Sequence, residues 1–313
     1  MPGKGLLFRT ALAIERSARH SRLGPLGARI AYWMWDRSTG LLLGVRMAVL
    51  GDTAVFHLLG KPVRLDLHDR AVTRVLYLFH EFEQEATLAF ARLLRPGITV
   101  VDIGANIGYY TIISAQAVGV TGRVLAFEPG PDNIRILRHN VALNGLDNVT
   151  VRQEAVAANG GRLTLHLSSI NPGDHRIYNG EDDDLYNVGR TRQTVEVESV
   201  ALDDFLETLD WNVDLIKMDV QGAEHAALQG MKRTLTRNKD VVLMAEYWPH
   251  GLSRSGTTPD AFLKELGELG FQAFLPSDGG SFLRITPTEI ASIASGDMHL
   301  TLFFSRRDIE ESP

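Results

Sequence analysis

Cysteine is absent from this chain of 313 residues. Disulfide frameworks, thiolate metal sites and cysteine nucleophiles are excluded together, and with them any relay of a group through a thiolate. No apolar run approaches the ~18 residues that a spanning helix requires. The best candidate, Leu41 to Leu59, is broken by Arg46, Asp52 and His57. A signal peptide fits no better, because Arg9, Glu15, Arg16 and Arg19 cut any apolar core short. Basic charge is scarce as well. The net charge is −6, which gives no global footprint for nucleic acid, and none is expected as a partner. An ordinary globular, cytoplasmic protein is the expectation.

The charge is unevenly spread. Residues 1–60 hold eight Lys or Arg against three acids, a net of +5, which leaves −11 for residues 61–313. In this basic segment Leu7, Ala11, Ile14 and Ala18 recur at helical spacing, with Arg9, Arg16 and His20 on the opposite face. After a Gly24-Pro25 break comes Tyr32-Trp33-Met34-Trp35. A basic helix with nearby aromatics can rest peripherally on a membrane. The favoured reading is packing against the main domain or a partner subunit of a homo-oligomer, since an apolar stripe is usually buried in protein. Residues 1–70 are thus read as an N-terminal helical region and residues 71–313 as the main domain.

Beyond residue 71 helices and strands alternate. Residues 72–94 read as one helix closed by Arg95-Pro96-Gly97. Strands are predicted at 98–103, 124–127, 149–151, 214–218, 241–245, 271–275 and 300–304, with helices up to Val118, over 131–144 and over 259–269. This alternation predicts an α/β fold, a doubly wound, mostly parallel seven-stranded sheet of Rossmann-like type. Residues 162–168 and 194–200 alternate apolar with polar and suit an extra antiparallel hairpin at a sheet margin. The segment from Ser169 to Arg192 has no periodicity, and a loop this long in a compact domain is usually functional. It carries Asp174-His175-Arg176 and an acidic run, Glu181 to Asp184, that reads as a solvated loop face.

Three strand ends carry the chemistry. The first runs into Asp102-Ile-Gly104-Ala105-Asn106-Ile-Gly108. Its glycines permit a tight turn with a ligand against the backbone, and the next helix offers free N–H groups. The dinucleotide pattern Gly-x-Gly-x-x-Gly is missing, because position 106 is Asn. An Asp beside the loop repels phosphate and attracts an ammonium group. The second strand ends in Glu128-Pro129, where a carboxylate can accept from both hydroxyls of a ribose. The third ends in Glu154-Ala155, and all three acids fall on the edge where open α/β sheets bind ligands. Further on, Lys217 and Asp219 share one side of a strand, and Glu224 opens the next helix. Lys217 and Glu224 are read as a charge pair that fixes this turn.

In this order the residues resemble class I S-adenosylmethionine-dependent methyltransferases. Val100 to Thr111 and Ile216 to Glu224 resemble the FkbM-type family in particular, as does Phe82-Glu83-Gln84-Glu85 ahead of the first strand. The likeness runs from about Glu83 to Leu275. It implies S-adenosyl-L-methionine as cofactor, with Asp102, Gly104, Asn106 and Gly108 around its methionine part. It also implies Glu128 on the ribose and Glu154 with Ala155 on the adenine edge. Glu83, Ala105, Pro129 and Asn133 complete the implied cofactor site, and Asp219 lies near the transferred methyl. Where relatives often carry Glu, this chain has Gln221, one negative charge fewer beside Asp219.

The resemblance implies methyl transfer, and O-methylation of a small molecule, sugar or lipid-linked glycan is the leading expectation. N-methylation and a non-catalytic binding or assembly role are the alternatives, and Asn106 disfavours a dehydrogenase. A hydroxyl acceptor must lose its proton to a base or to a metal-lowered pKa. His175 is the expected base by type, since its ordinary pKa suits neutral pH. Asp219 and Glu246, at neighbouring strand ends, are the other catalytic candidates. They could hold a divalent metal, which is not favoured because Tyr247 follows where another oxygen ligand would serve. His80, His225 and His250 are weaker candidates.

Overall fold

A computed structural model describes residues 47–48, 51–58, 60–69, 72–79, 82–168, 171–179, 192–209, 211–294 and 298–309. The amphipathic stretch at 7–18, the aromatics at 32–35, His80 and the acidic run at 181–184 lie outside the described residues. The chain divides into two units, residues 1–56 with 64–82 and residues 57–63 with 83–313.

The described part of the region expected to be helical contains a hairpin instead. Strands β1 (Thr53–Leu58) and β2 (Lys61–Asp66) pair across Gly60, whose φ of 80° suits a tight turn. Ala54, Phe56 and Leu58 are buried and their neighbours exposed, the period of two that marks a half-buried strand. The helix expected over 72–94 is also two helices, α1 (Val72–Phe79) and α2 (Gln84–Leu93). They part ahead of Glu83, which takes a left-handed φ of 45° and so cannot continue a right-handed helix.

The second unit then runs β3 (Thr99–Ile103), α3 (Tyr109–Val118), β4 (Arg123–Phe127), α4 (Pro131–Leu143), β5 (Val149–Arg152), β6 (Ala155–Val156) and β7 (Gly161–Leu167). It continues through β8 (Gln193–Val200), α5 (Leu202–Glu207), β9 (Leu215–Met218), α6 (Glu224–Gln229), α7 (Lys232–Arg237) and β10 (Val242–Tyr247). It closes with α8 (Pro249–Arg254), α9 (Pro259–Glu268), β11 (Gln272–Ser277), β12 (Ser281–Ile285), α10 (Pro287–Ile293) and β13 (Leu300–Ser305).

The main sheet has the order β12-β11-β13-β10-β9-β3-β4-β5. Strands β10, β9, β3, β4 and β5 are parallel, and β13, β11 and β12 add antiparallel pairing. The sheet therefore has eight strands where seven were expected, the addition being the short edge strand β12. The hairpin expected at a margin, β7 with β8, stands apart from the main sheet and joins β6 in a three-stranded sheet.

Alternation along the strands builds a layer on each face. Leu125 and Phe127 of β4 enter the large core shared with α5, α6, α7 and α9, whereas Ala126 between them packs with Ile134 and Leu137 of α4. Register aligns Ile103 with Phe127 and Met218, and Met218 with Ala245. Four parallel strands thus end level, where the chain order reverses around β3. Such a switch point opens a crevice at the carboxyl ends.

Candidate active site

The first wall of this crevice is the β3–α3 loop. Gly104 takes φ 74° and Gly108 φ 96°. A Cβ on Gly104 would lie 1.9 Å from the Asp219 carbonyl oxygen, and one on Gly108 would lie 2.7 Å from Leu137. Asn106 holds φ 53° without being glycine, a strained conformation of the kind found at functional sites. Its N–H donates to Glu128 Oε2 at 2.8 Å, and Gly130 N–H donates to Oε1 at 2.7 Å. Burial nevertheless pushes the Glu128 pKa up to about 7 against those two hydrogen bonds.

Asp102 is fully buried and accepts from Thr111 Oγ1 at 2.6 Å on one oxygen. Its Oδ1 and the Asn106 Oδ1 are buried with no hydrogen-bond partner. Lys217 Nζ lies 3.6 Å from Asp102 Oδ1, 4.0 Å from Asp219 and within hydrogen-bond reach of Gly104 O at 2.8 Å. Burial lowers the Lys217 pKa, but Asp102, Asp219, Glu83 and Glu128 outweigh it and the net shift is upward. Lys217 and Glu224 do not pair as expected. Glu224 Oε1 accepts from Val220 N and Gly222 N and so fixes the β9–α6 turn alone.

The second wall is the β9–β10 edge. Asp219, Glu224 and Glu246 each bring an oxygen within 4.8 Å of the others, a spacing that suits ligands of a divalent cation. Gln221, at φ 54°, donates Nε2 to Asp219 Oδ1 at 2.6 Å and Glu246 Oε2 at 3.0 Å. An amide thus links two of the three acids. Burial and then Glu246 push Glu224 up to about 8. Burial and then Asp219 raise Glu246 well above the ordinary carboxylate range. Glu83 accepts from the buried Tyr110 hydroxyl at 3.0 Å and feels the charge of Asp219 and Lys217, which connects it to this edge.

The remaining predicted residues fall into three places. Asn133 Nδ2 donates to Pro172 O at 2.8 Å, tying α4 to the 172–174 turn, with Pro129 half-buried beside it in sequence. Glu154 is held bidentately by Arg152 at 2.8 and 3.0 Å, and Ala155 is buried in β6. His175 sits beside Gly130, where a glycine Cβ would come 2.9 Å from its ring, rather than at the β9–β10 edge. Its Nδ1 accepts from Ser168 N at 3.1 Å, and burial with Arg192 lowers its pKa to about 4. An imidazole so weakly basic, with its acceptor nitrogen engaged, is poorly suited to take a proton at neutral pH. His225 is bound to Thr257 and Glu265 in a separate network.

Sequence reasoning missed His299. Its Nδ1 lies 2.7 Å from Glu246 Oε1, and its ring stacks on Trp248 at 4.5 Å and 15°. No local motif surrounds it. Only the antiparallel register of β10 with β13, which sets Tyr247 opposite Leu300, brings it there.

Carboxylate-bearing ends of parallel strands around a left-handed glycine loop line the ligand crevice of a Rossmann-like fold. Residues 102–273 match the methyltransferase FkbM domain, and the chain belongs to that family. Among curated relatives, methyltransferase sdnD of Sordaria araneosa is 30% identical over 181 residues, covering 49% of this chain and 68% of its own. The 31-O-demethyl-FK506 methyltransferase FkbM of Streptomyces tacrolimicus is 31% identical over 180 residues, covering 50% and 68%. The 2-O-methyltransferase NoeI of Sinorhizobium fredii is 29% identical, covering 47% and 63%. The chain spans between 29% and 68% of the length of the curated relatives it matches. A solved S-adenosylmethionine-dependent O-methyltransferase from Thermotoga maritima has a TM-score of 0.39 at 12% identity, covering 84% of this chain and 89% of that one. A likeness at that level bears on neither substrate nor chemistry. No helix of the described residues is long and apolar enough to cross a membrane.

Proposed function

We propose that the protein transfers a methyl group from S-adenosylmethionine to a hydroxyl of a small molecule, sugar or lipid-linked glycan. The observation that carries this reading is the unsatisfied, acidic lining of the crevice. Asp102 Oδ1 and Asn106 Oδ1 are buried acceptors without hydrogen-bond partners, the former with only the Lys217 ammonium at 3.6 Å, and a buried polar group left without a hydrogen bond is costly. The α-ammonium of the methyl donor offers the complementary donor and charge.

The chain's own residues would divide the work. Asp102, Asn106 and the backbone around Gly104 and Gly108 would hold the amino-acid end. Glu128 keeps acceptor capacity beyond the two backbone N–H groups that fix it, so it can orient a ribose while they hold its carboxyl still. Glu154, clamped by Arg152, and Ala155 would line the adenine side. The bound donor would supply an electrophilic methyl on a sulfonium. Asp219 and Glu246, at the adjoining strand ends, would face the positive charge and the acceptor, and Glu83 would close that corner. Alignment of nucleophile and carbon, with water excluded, accounts for much of the rate in such a displacement.

O-methylation is favoured by the names of the FkbM and NoeI relatives, both oxygen methyltransferases. The test is incorporation of labelled methyl into an extract of the source cells, with mass spectrometry of the product. A methyl ether in the product supports the reading, and a methylated amine would replace it with N-methylation.

A further inference from the structure

The structure assigns the acceptor's proton to His299, held by Glu246 and Trp248. This assignment rests on the methyl-transfer reading and deepens it. Once Glu246 is ionised its carboxylate can only accept, and the 2.7 Å contact then places the ring proton of neutral His299 on Nδ1. The lone pair is then on Nε2, which has no hydrogen-bond partner among the described residues. Glu246 is 15% exposed and His299 41% exposed, so the carboxylate is anchored while the ring remains accessible. Stacking on Trp248, which is itself buried and lies under the Arg176 guanidinium at 4.6 Å, fixes the ring plane. A carboxylate that orients an imidazole through Nδ1 and leaves Nε2 to accept a proton is a recurring catalytic arrangement.

Burial holds the His299 pKa below its ordinary value, and the charges around the ring act in both directions. Asp219 and Glu224 from the β9–α6 turn, Asp174 from the 172–174 turn and Glu83 ahead of α2 all act on His299 or Glu246, against Arg176 and Lys217. In the step, the acceptor hydroxyl gives its proton to His299 Nε2 as its oxygen bonds the methyl carbon. The carbon–sulfur bonding pair stays with sulfur, so the product nucleoside is a neutral thioether. The positive charge passes from sulfonium to imidazolium, facing Glu246.

Nitrogen-15 NMR of the imidazoles in the full-length protein, with S-adenosylhomocysteine present and at alkaline pH, reads the tautomer directly. A protonated Nδ1 and bare Nε2 at His299 are expected, and a protonated Nε2 overturns the assignment. His299→Ala is expected to lower methyl incorporation into extract on the order of 10²–10⁴-fold, to keep S-adenosylhomocysteine affinity within about threefold, and to regain turnover with added imidazole. Incorporation at the wild-type rate in His299→Ala, with the nucleoside still bound, sinks the base while sparing the methyl-transfer reading. Failure of the wild-type protein to bind the nucleoside sinks both.

Discussion

Asp174 and Asp219 lie in two ionic clusters of opposite balance. Asp174 is buried, with Arg176 Nε at 2.5 Å on one oxygen and Arg192 at 2.6 Å on the other, while Arg192 also reaches the Asp174 carbonyl. Two cations there serve one acid. Asp219 shares its edge with Glu224 and Glu246, and Lys217, 4.0 Å away, is also engaged by Asp102 and Gly104. A surplus of guanidinium fixes the turn that carries His175. A surplus of carboxylate leaves the strand ends short of positive charge, which a cationic ligand restores. One cluster builds and the other is poised to bind.

Removing the single acid from the first cluster should have the largest effect. Asp174→Asn leaves two buried guanidiniums facing a neutral amide, and breaking a buried pair from one side costs about 3–5 kcal/mol. Denaturant unfolding checks this, and an unchanged midpoint would show that the two arginines find other partners.

Gly104→Ala attacks the second cluster through the backbone. Its Cβ would meet the Asp219 carbonyl at 1.9 Å in a left-handed conformation, a backbone cost of roughly 1–2 kcal/mol before the clash is counted. S-adenosylhomocysteine affinity should drop by at least about tenfold, and titration calorimetry would reveal a loop that simply yields if affinity holds.

The carboxylate surplus should also make the ligand-free protein lose stability as pH rises. Glu128 and Glu224 have folded pKa values near 7 and near 8, above their ordinary 4.5. The folded state therefore binds protons more tightly than the unfolded one. Their contribution is fully present below about 4.5 and is lost as pH rises through about 7 and 8. About 1–2 kcal/mol of that loss is expected between pH 7 and pH 8 alone. Melting curves should flatten with pH in Glu128→Gln and Glu224→Gln, and a wild-type protein equally stable at both ends of the window would contradict the surplus.

The smallest effect concerns Gln221. Its amide links Asp219 and Glu246, so divalent cations should leave the wild-type melting temperature unmoved, whereas Gln221→Glu should gain a cation-dependent rise of a few degrees. A cation response in the wild-type protein would show that the amide yields to metal.

The two walls also differ in how far the sequence discloses them. Asp102, Gly104, Asn106 and Gly108 fall within seven residues, and Glu128 and Asp219 end strands whose apolar runs are plain, so local pattern located them. His299 is 53 residues from Glu246 and depends on an antiparallel register that no local pattern encodes. The Arg192 clasp on Asp174 likewise closes across a long loop. The hairpin at 53–66 had a legible alternation that the basic, helix-like segment before it obscured, and Glu83 broke a helix because its backbone, not its side chain, departs from the pattern.

Calorimetric titration of the full-length protein with S-adenosylhomocysteine tests the central claim most directly. The account predicts saturable binding, weakened at least about tenfold by Asp102→Ala and again by Glu128→Ala. Absence of binding by the wild-type protein at a nucleoside concentration of about 1 mM, the level of a bare −4 kcal/mol interaction, would contradict it.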